Sequence, residues 1–165
     1  YRQRGLSASN GARHTQRLSE GNPKDSALRA NGVISAHHKP VILDAWFALE
    51  ASAPRTDGLQ RVQALLEHPR FDPLAPNSLR AVLGGFTANV PVFHAIDGSG
   101  YRFMADQIAA VDRRNPITAS RMAKVFSRWS SYGVDRQSAM RQAIDQLAAG
   151  ELSSNTAEVV AMLRT

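Results

Sequence analysis

The chain has 165 residues, 43% hydrophobic and 7% aromatic, the size and composition of one globular domain. It has no cysteine, which excludes disulfide frameworks, thiolate metal sites and cysteine nucleophiles and makes the cytoplasm the expected location. The net charge of +6 sits at one end, with seven Lys or Arg against two acids through Lys39 and thirteen against twelve from Pro40 on.

Residues 1–38 are rich in Arg, Ser, Asn, Gly and Ala, and their few apolar residues keep neither helical nor strand spacing. Such a segment cannot bury enough apolar surface to offset its ordering entropy, so a poorly ordered basic leader is expected, with a short helix around Asp25 to Ala30. Because the charge excess belongs to the leader, and no aromatic platform is interleaved with it, no nucleic-acid partner is expected. No apolar run approaches the roughly 18 residues of a membrane span, so no membrane partner is expected either.

Residues 39–165 read as one helical domain, since every periodic segment from Pro40 on has helical spacing. Val41, Ile42, Ala45, Trp46 and Leu49 form an apolar stripe, with Pro40 in the first turn and Pro54 past the end. Leu59, Val62, Leu65 and Leu66 form the next, closed by His68 and Pro69, and the two make a helical hairpin. Asn77 stands where a cap belongs, ahead of Leu79, Val82, Leu83 and Phe86. Gly84 and Gly85 inside that stripe cost roughly 1 kcal/mol each relative to Ala, and close approach of a neighbouring helix is the expected reason.

A loop is expected after Asn89 and Pro91, and Gly98 to Gly100 then introduce a helix carrying Tyr101, Met104, Ala105, Ile108 and Val111. Asn115 followed by Pro116 starts a helix with Ala119, Met122, Ala123, Phe126 and Trp129, ending near Tyr132 and Gly133. Asp135 is expected to cap the next, with Met140, Ile144 and Leu147 inward and Gly150 at its end. Asn155 and Glu158 have capping-box spacing before Val159, Met162 and Leu163. Seven helices with short connections predict an all-α fold, an irregular helical-hairpin array or HEAT-like superhelix with no sheet.

A helical zinc hydrolase needs two His one turn apart with a Glu between them, and His14, His37, His38, His68 and His94 offer no such spacing. No catalytic residue and no metal or cofactor site is therefore assigned. The run Ala95 to Asp106 has Asp97, Ser99 and Gly100 at plausible calcium-loop places, but Ala95 and Phe103 stand where ligands belong, so a Gly-rich turn is the better reading. His94 reads as a satisfied loop histidine and Trp46, Phe126 and Trp129 as core. Arg80 and Arg121 lie beside apolar helix faces, where a guanidinium must be paired, solvated or turned to a wet cavity.

The words His68-Pro69-Arg70-Phe71, Asn77-Ser78-Leu79-Arg80-Ala81-Val82-Leu83-Gly84-Gly85-Phe86, Phe93-His94-Ala95-Ile96-Asp97-Gly98-Ser99-Gly100-Tyr101 and Arg114-Asn115-Pro116 with Ala119-Ser120-Arg121 recur in this order and spacing in one family. From about Pro40 to the C-terminus the chain resembles the C-terminal domain of bacterial aminopeptidase N, and the Leu43-Asp44-Ala45-Trp46-Phe47 helix fits the same match. The leader does not match.

The resemblance implies a helical superhelix that covers the zinc site of a preceding catalytic domain and closes a chamber where amino-terminal residues are trimmed from peptides. It places Arg80 and Arg121 on the chamber wall near bound peptide, and Ile117 where relatives can present a Gln toward the pocket for the first side chain. The family's His-Glu-x-x-His and Gly-Ala-Met-Glu-Asn motifs are missing here, so the chain alone is expected to be inactive, with zinc belonging to the parent enzyme. The expected partners are that catalytic domain, short peptides and, for the isolated chain, a second copy of itself. A helical protein-interaction scaffold using one concave face is the alternative.

Overall fold

The computed structural model describes residues 40–165, and the expectations placed on the leader and on the helix at Asp25 to Ala30 lie outside the described residues. Contacts divide the chain into two units, Tyr1–Ile42 and Leu43–Thr165, and the packing below is that of the second. Eight helices and no strand occur among the described residues.

Helix α1 (Pro40–Ser52) is apolar around most of its circumference, so spacing alone cannot select the face it buries. Packing selects Phe47 and Ala51: Phe47 is fully buried and stands edge-on to His68 and Phe71, with ring centroids 5.4 and 5.9 Å away. The stripe expected to point inward points outward instead, with Leu49 68% and Trp46 37% exposed and Val41 and Ile42 exposed as well. Helix α2 (Gly58–Leu66) buries Val62 and Leu65 as its spacing predicts. Its Arg61 holds Glu50 of α1 at 2.6 Å, which fastens the expected hairpin.

Helix α3 occupies residues 76–88 in three parts, an α turn Pro76–Leu79, a π turn Arg80–Gly84 and an α turn Gly85–Ala88. Pro76 takes the first position after an extended Ala75, so Asn77 lies inside the first turn and is not the cap its sequence position suggests. Leu79, Val82, Leu83 and Phe86 are buried as expected. Close approach explains one of the two glycines: a Cβ on Gly85 would stand 2.8 Å from the Ala48 carbonyl oxygen and 3.0 Å from the Ala51 methyl. It does not explain Gly84, whose Cβ would meet, among the described residues, only the Arg80 side chain at 3.6 Å.

Asn89 ends α3, and its buried amide donates to the Ala53 carbonyl at 2.8 Å, pinning the end of α1. The loop expected next is a single turn, α4 (Val90–Phe93), because Pro91 suits a first turn and Phe93 is drawn into the core against Phe86 and Tyr101. Gly98 then adopts φ +68°, and Asp97 accepts from the Ser99 amide and hydroxyl at 3.0 and 2.8 Å to start α5 (Ser99–Asp112). A Cβ on Gly100 would collide with the Phe93 backbone, so the Gly-Ser-Gly word is a structural turn.

Helix α6 (Pro116–Ala123) is capped as expected, the Asn115 side chain accepting from the Thr118 amide at 3.1 Å. It tightens into a 3-10 segment (Lys124–Ser131), where Trp129 donates its indole N–H to the Leu163 carbonyl at 2.9 Å. Helix α7 (Val134–Ala149) follows Gly133 without a side-chain cap, so Asp135 lies one residue inside, where its charge still favours the helix dipole. The cap of α8 (Ser154–Arg164) is Ser153, two residues before the expected Asn155, and Thr156, Val160 and Leu163 face inward while Met162 is exposed.

Ser153 takes the cap because it is held from below. Asp112, buried at the end of α5, accepts from the Ser153 amide and hydroxyl, both at 2.6 Å, and from the Thr156 hydroxyl. Burial pushes the Asp112 carboxyl up, but these donors outweigh it and hold the group below the usual carboxylate range. The carboxylate thereby joins α5 to the start of α8, which packs on α6 and α7.

Two substitutions check these joints. G85A is expected to destabilise by about 1–3 kcal/mol in urea unfolding, since backbone of α1 must retreat. D112N is expected to cost about 1.5–3 kcal/mol at neutral pH. Because the folded carboxyl titrates below its unfolded value, that contribution is present above about pH 4 and is lost as pH falls through the folded value, so the D112N deficit should shrink in acid.

Candidate functional site

Arg80 and Arg121 are separated by forty-one positions in the chain and come together on one groove of about 240 Å³. Helix α3 supplies one wall, with Pro76 and Leu79 from its first turn, Arg80, Leu83 and Gly84 from the π turn, and Thr87 after it. Met104 of α5 and Thr118, Arg121, Met122 and Val125 of α6 and its 3-10 extension supply the other. Leu79, Leu83 and Met104 are buried and form the floor, while both arginines are exposed at the rim.

Among the described residues no acid lines this groove. The ion pairs among the described residues are Arg55 with Asp57, Arg61 with Glu50 and Arg164 with Asp145, so neither rim guanidinium is paired with a described carboxylate. Among the described residues Arg80 donates only to the neutral Asn77 side chain, at 3.3 Å, and Arg121 stands in the last turn of α6, where a cation suits the helix dipole. The result is an apolar slot with two positive charges at its mouth, chemistry suited to a carboxylate or a row of peptide carbonyls attached to an apolar body. The slot is sized for part of a ligand.

Ile117 does not line the groove. It sits one residue before Thr118 in the first turn of α6 and is 57% exposed. Among the described residues no three His, Asp or Glu side chains gather in one place, so they do not fit a zinc donor set. Leu79, Leu83, Met104 and Met122 carry core spacing in the sequence, and nothing in it separates a core residue from one that closes a groove floor. Thr87, Thr118 and Gly84 carry no sequence signal for the groove at all.

A second cluster gathers at the start of α5. His94 lies in the turn before α5, its Nδ1 2.7 Å from the Tyr101 hydroxyl and its Nε2 3.3 Å from the Tyr132 hydroxyl, and its carbonyl accepts from Arg136 of α7 at 3.0 Å. The two ring nitrogens are both partnered, as expected of a satisfied loop histidine. Tyr101 is fully buried and lies one turn before Met104, with its ring 6.5 Å from that of Phe126. Burial, and then the nearby Arg136 charge, lower the His94 pKa.

The chain matches the family described as domain of unknown function DUF3458_C, ARM repeats, over residues 14–164. It is 39% identical over 145 residues to an aminopeptidase N of Caulobacter vibrioides, a match covering 84% of this chain and 16% of that protein. It is 38% identical over 112 residues to the aminopeptidase N of Escherichia coli, covering 67% of this chain and 13% of that protein. The solved structure of Legionella pneumophila aminopeptidase A in complex with aspartic acid superimposes with a TM-score of 0.75 at 31% identity, covering 84% of this chain and 16% of the other. The chain thus spans a small part of the length of the relatives it matches.

The His94 cluster sets a pH dependence of stability. With its folded pKa below the unfolded value, the folded state binds fewer protons, so stability is full above about pH 6.5 and falls as pH drops below it. The urea midpoint of the chain should decline from about pH 7.5 to about pH 5.5, and H94Q should lose most of that decline.

Proposed function

The chain belongs to the DUF3458_C family of ARM-repeat domains and corresponds to the C-terminal domain of aminopeptidase N, and from that premise we propose that it lines and closes the substrate chamber of a zinc-dependent aminopeptidase. The parent enzyme removes amino-terminal residues from peptides, with zinc and the catalytic groups in another part of the protein and this domain docked on that part. The chain alone does not catalyse the reaction. A cytoplasmic location is part of the same proposal.

The observation that carries the reading is the convergence of Arg80 and Arg121 on one apolar groove, lined by no acid among the described residues. A peptide running past the groove would offer backbone carbonyls or a terminal carboxylate to the guanidiniums and one apolar side chain to the slot. Desolvating that side chain and fixing the backbone would orient the peptide without touching the bond that breaks. Ile117, exposed in the first turn of α6 one residue before Thr118, is proposed to meet the peptide outside the groove. The exposed Trp46 and Leu49 of α1 support self-association of the isolated chain.

Two measurements test this. The 165-residue chain supplied with zinc should not hydrolyse an alanine chromogenic substrate, and robust turnover would refute the noncatalytic assignment. In a full-length enzyme carrying this domain, R80M with R121M should raise KM for a tripeptide roughly 10- to 100-fold through the loss of charge-assisted hydrogen bonds, leaving kcat nearly unchanged. An unaltered KM would remove the arginines from the substrate path.

A further inference from the structure

We infer that Gly84 is a specificity-determining residue of the groove: its missing side chain holds the slot open for an apolar side chain of the peptide and gives the Arg80 stem room to lie against the helix. This rests on the reading of the groove as a peptide-binding wall and assigns the residue that sets its capacity.

Nothing in the fold requires glycine at this place. Its φ of −68° and ψ of −41° are ordinary helical values that any L-residue adopts. Among the described residues a Cβ would meet only the Arg80 Cγ, at 3.6 Å, an ordinary van der Waals contact. Glycine inside a helix is nonetheless disfavoured relative to alanine, because more backbone freedom is lost on folding. The neighbouring Gly85 answers that cost with the close approach of Ala48, and Gly84 has no such answer among the described residues. What Gly84 faces is the groove, and what a side chain there would remove is groove volume.

The surrounding backbone fits this role. Gly84 closes the π turn, a local irregularity of the kind that gathers at functional sites, and Arg80 opens it. The Arg80 Cγ lies 3.6 Å from where a Gly84 Cβ would stand, so the aliphatic stem of that arginine runs beside the glycine and a branched or long residue at 84 would push the guanidinium off its present course. The Thr87 hydroxyl donates to the Gly84 carbonyl at 2.9 Å, so that carbonyl is satisfied within the wall. The slot behind it is apolar, formed by Leu83, Met104 and Met122.

The test combines a stability and a binding readout on the 165-residue chain. G84A should raise the urea midpoint, because alanine fits the space and favours the helix, and should weaken trileucine binding, followed by NMR titration into the low millimolar range, roughly tenfold. Trialanine binding should change much less, and G84L should abolish trileucine binding. A lowered midpoint in G84A would mean that the fold itself requires glycine here, and trileucine binding undiminished in G84A and G84L would mean that the residue does not set capacity; either overturns the inference while leaving the groove reading standing. Absence of trileucine binding to the unsubstituted chain would overturn both.

Discussion

The approach of α1 to α3 at Gly85 fixes the rotation of α3 about its own axis, and most of the site follows from that rotation. With the Ala48 carbonyl seated against a residue that has no side chain, α3 can turn only one way, and Leu79, Val82, Leu83 and Phe86 go to the core. Arg80, Gly84 and Thr87 are left facing the groove. Asn89 then locks the end of the helix by reaching back to Ala53, and near its start Ser78 donates to Asp44 of α1 at 2.8 Å. Two adjacent glycines consequently serve opposite purposes, Gly85 admitting a neighbour and Gly84 keeping one out.

The second half of the domain holds the other wall still. Helices α5 and α6 pack on each other and on α7 and α8, and buried Asp112 ties the end of α5 to the cap of α8. A buried carboxylate is costly unless its oxygens are satisfied, and here both accept from amide and hydroxyl donors at a helix start where negative charge is favoured. His94, bridging Tyr101 and Tyr132, fastens the turn before α5 to the segment before α7. The groove is therefore a gap between two braced bodies of side chains within one unit. Its charge is unbalanced because the described acids that pair with arginine all do so elsewhere.

Much of this was legible beforehand. Wherever one helix face was apolar and the other polar, as for Val62 and Leu65, for Tyr101 through Val111 and for Met140, Ile144 and Leu147, spacing picked out the buried residues. Where the helix was apolar on nearly every side, as in α1, spacing chose the face that carries Trp46 and Leu49, and packing chose Phe47 and Ala51. The caps divide in the same way. Asn115 precedes a proline that enforces a first turn, and it caps as read, whereas Ser153 displaces Asn155 because Asp112, forty-one residues earlier, grips its amide and hydroxyl.

The sequence by itself determined the helical class and the position of the Gly98 turn, because each depends on residues near in the chain or on a local backbone preference, and the family resemblance singled out Arg80 and Arg121. Only the tertiary structure decided that Arg80 and Arg121 share one groove, that Ile117 stands outside it, and that Gly84 and Gly85 differ in purpose. The reason is geometric. A glycine encodes permission for a close approach or an open space, and which of the two is realised depends on what another helix brings to that side.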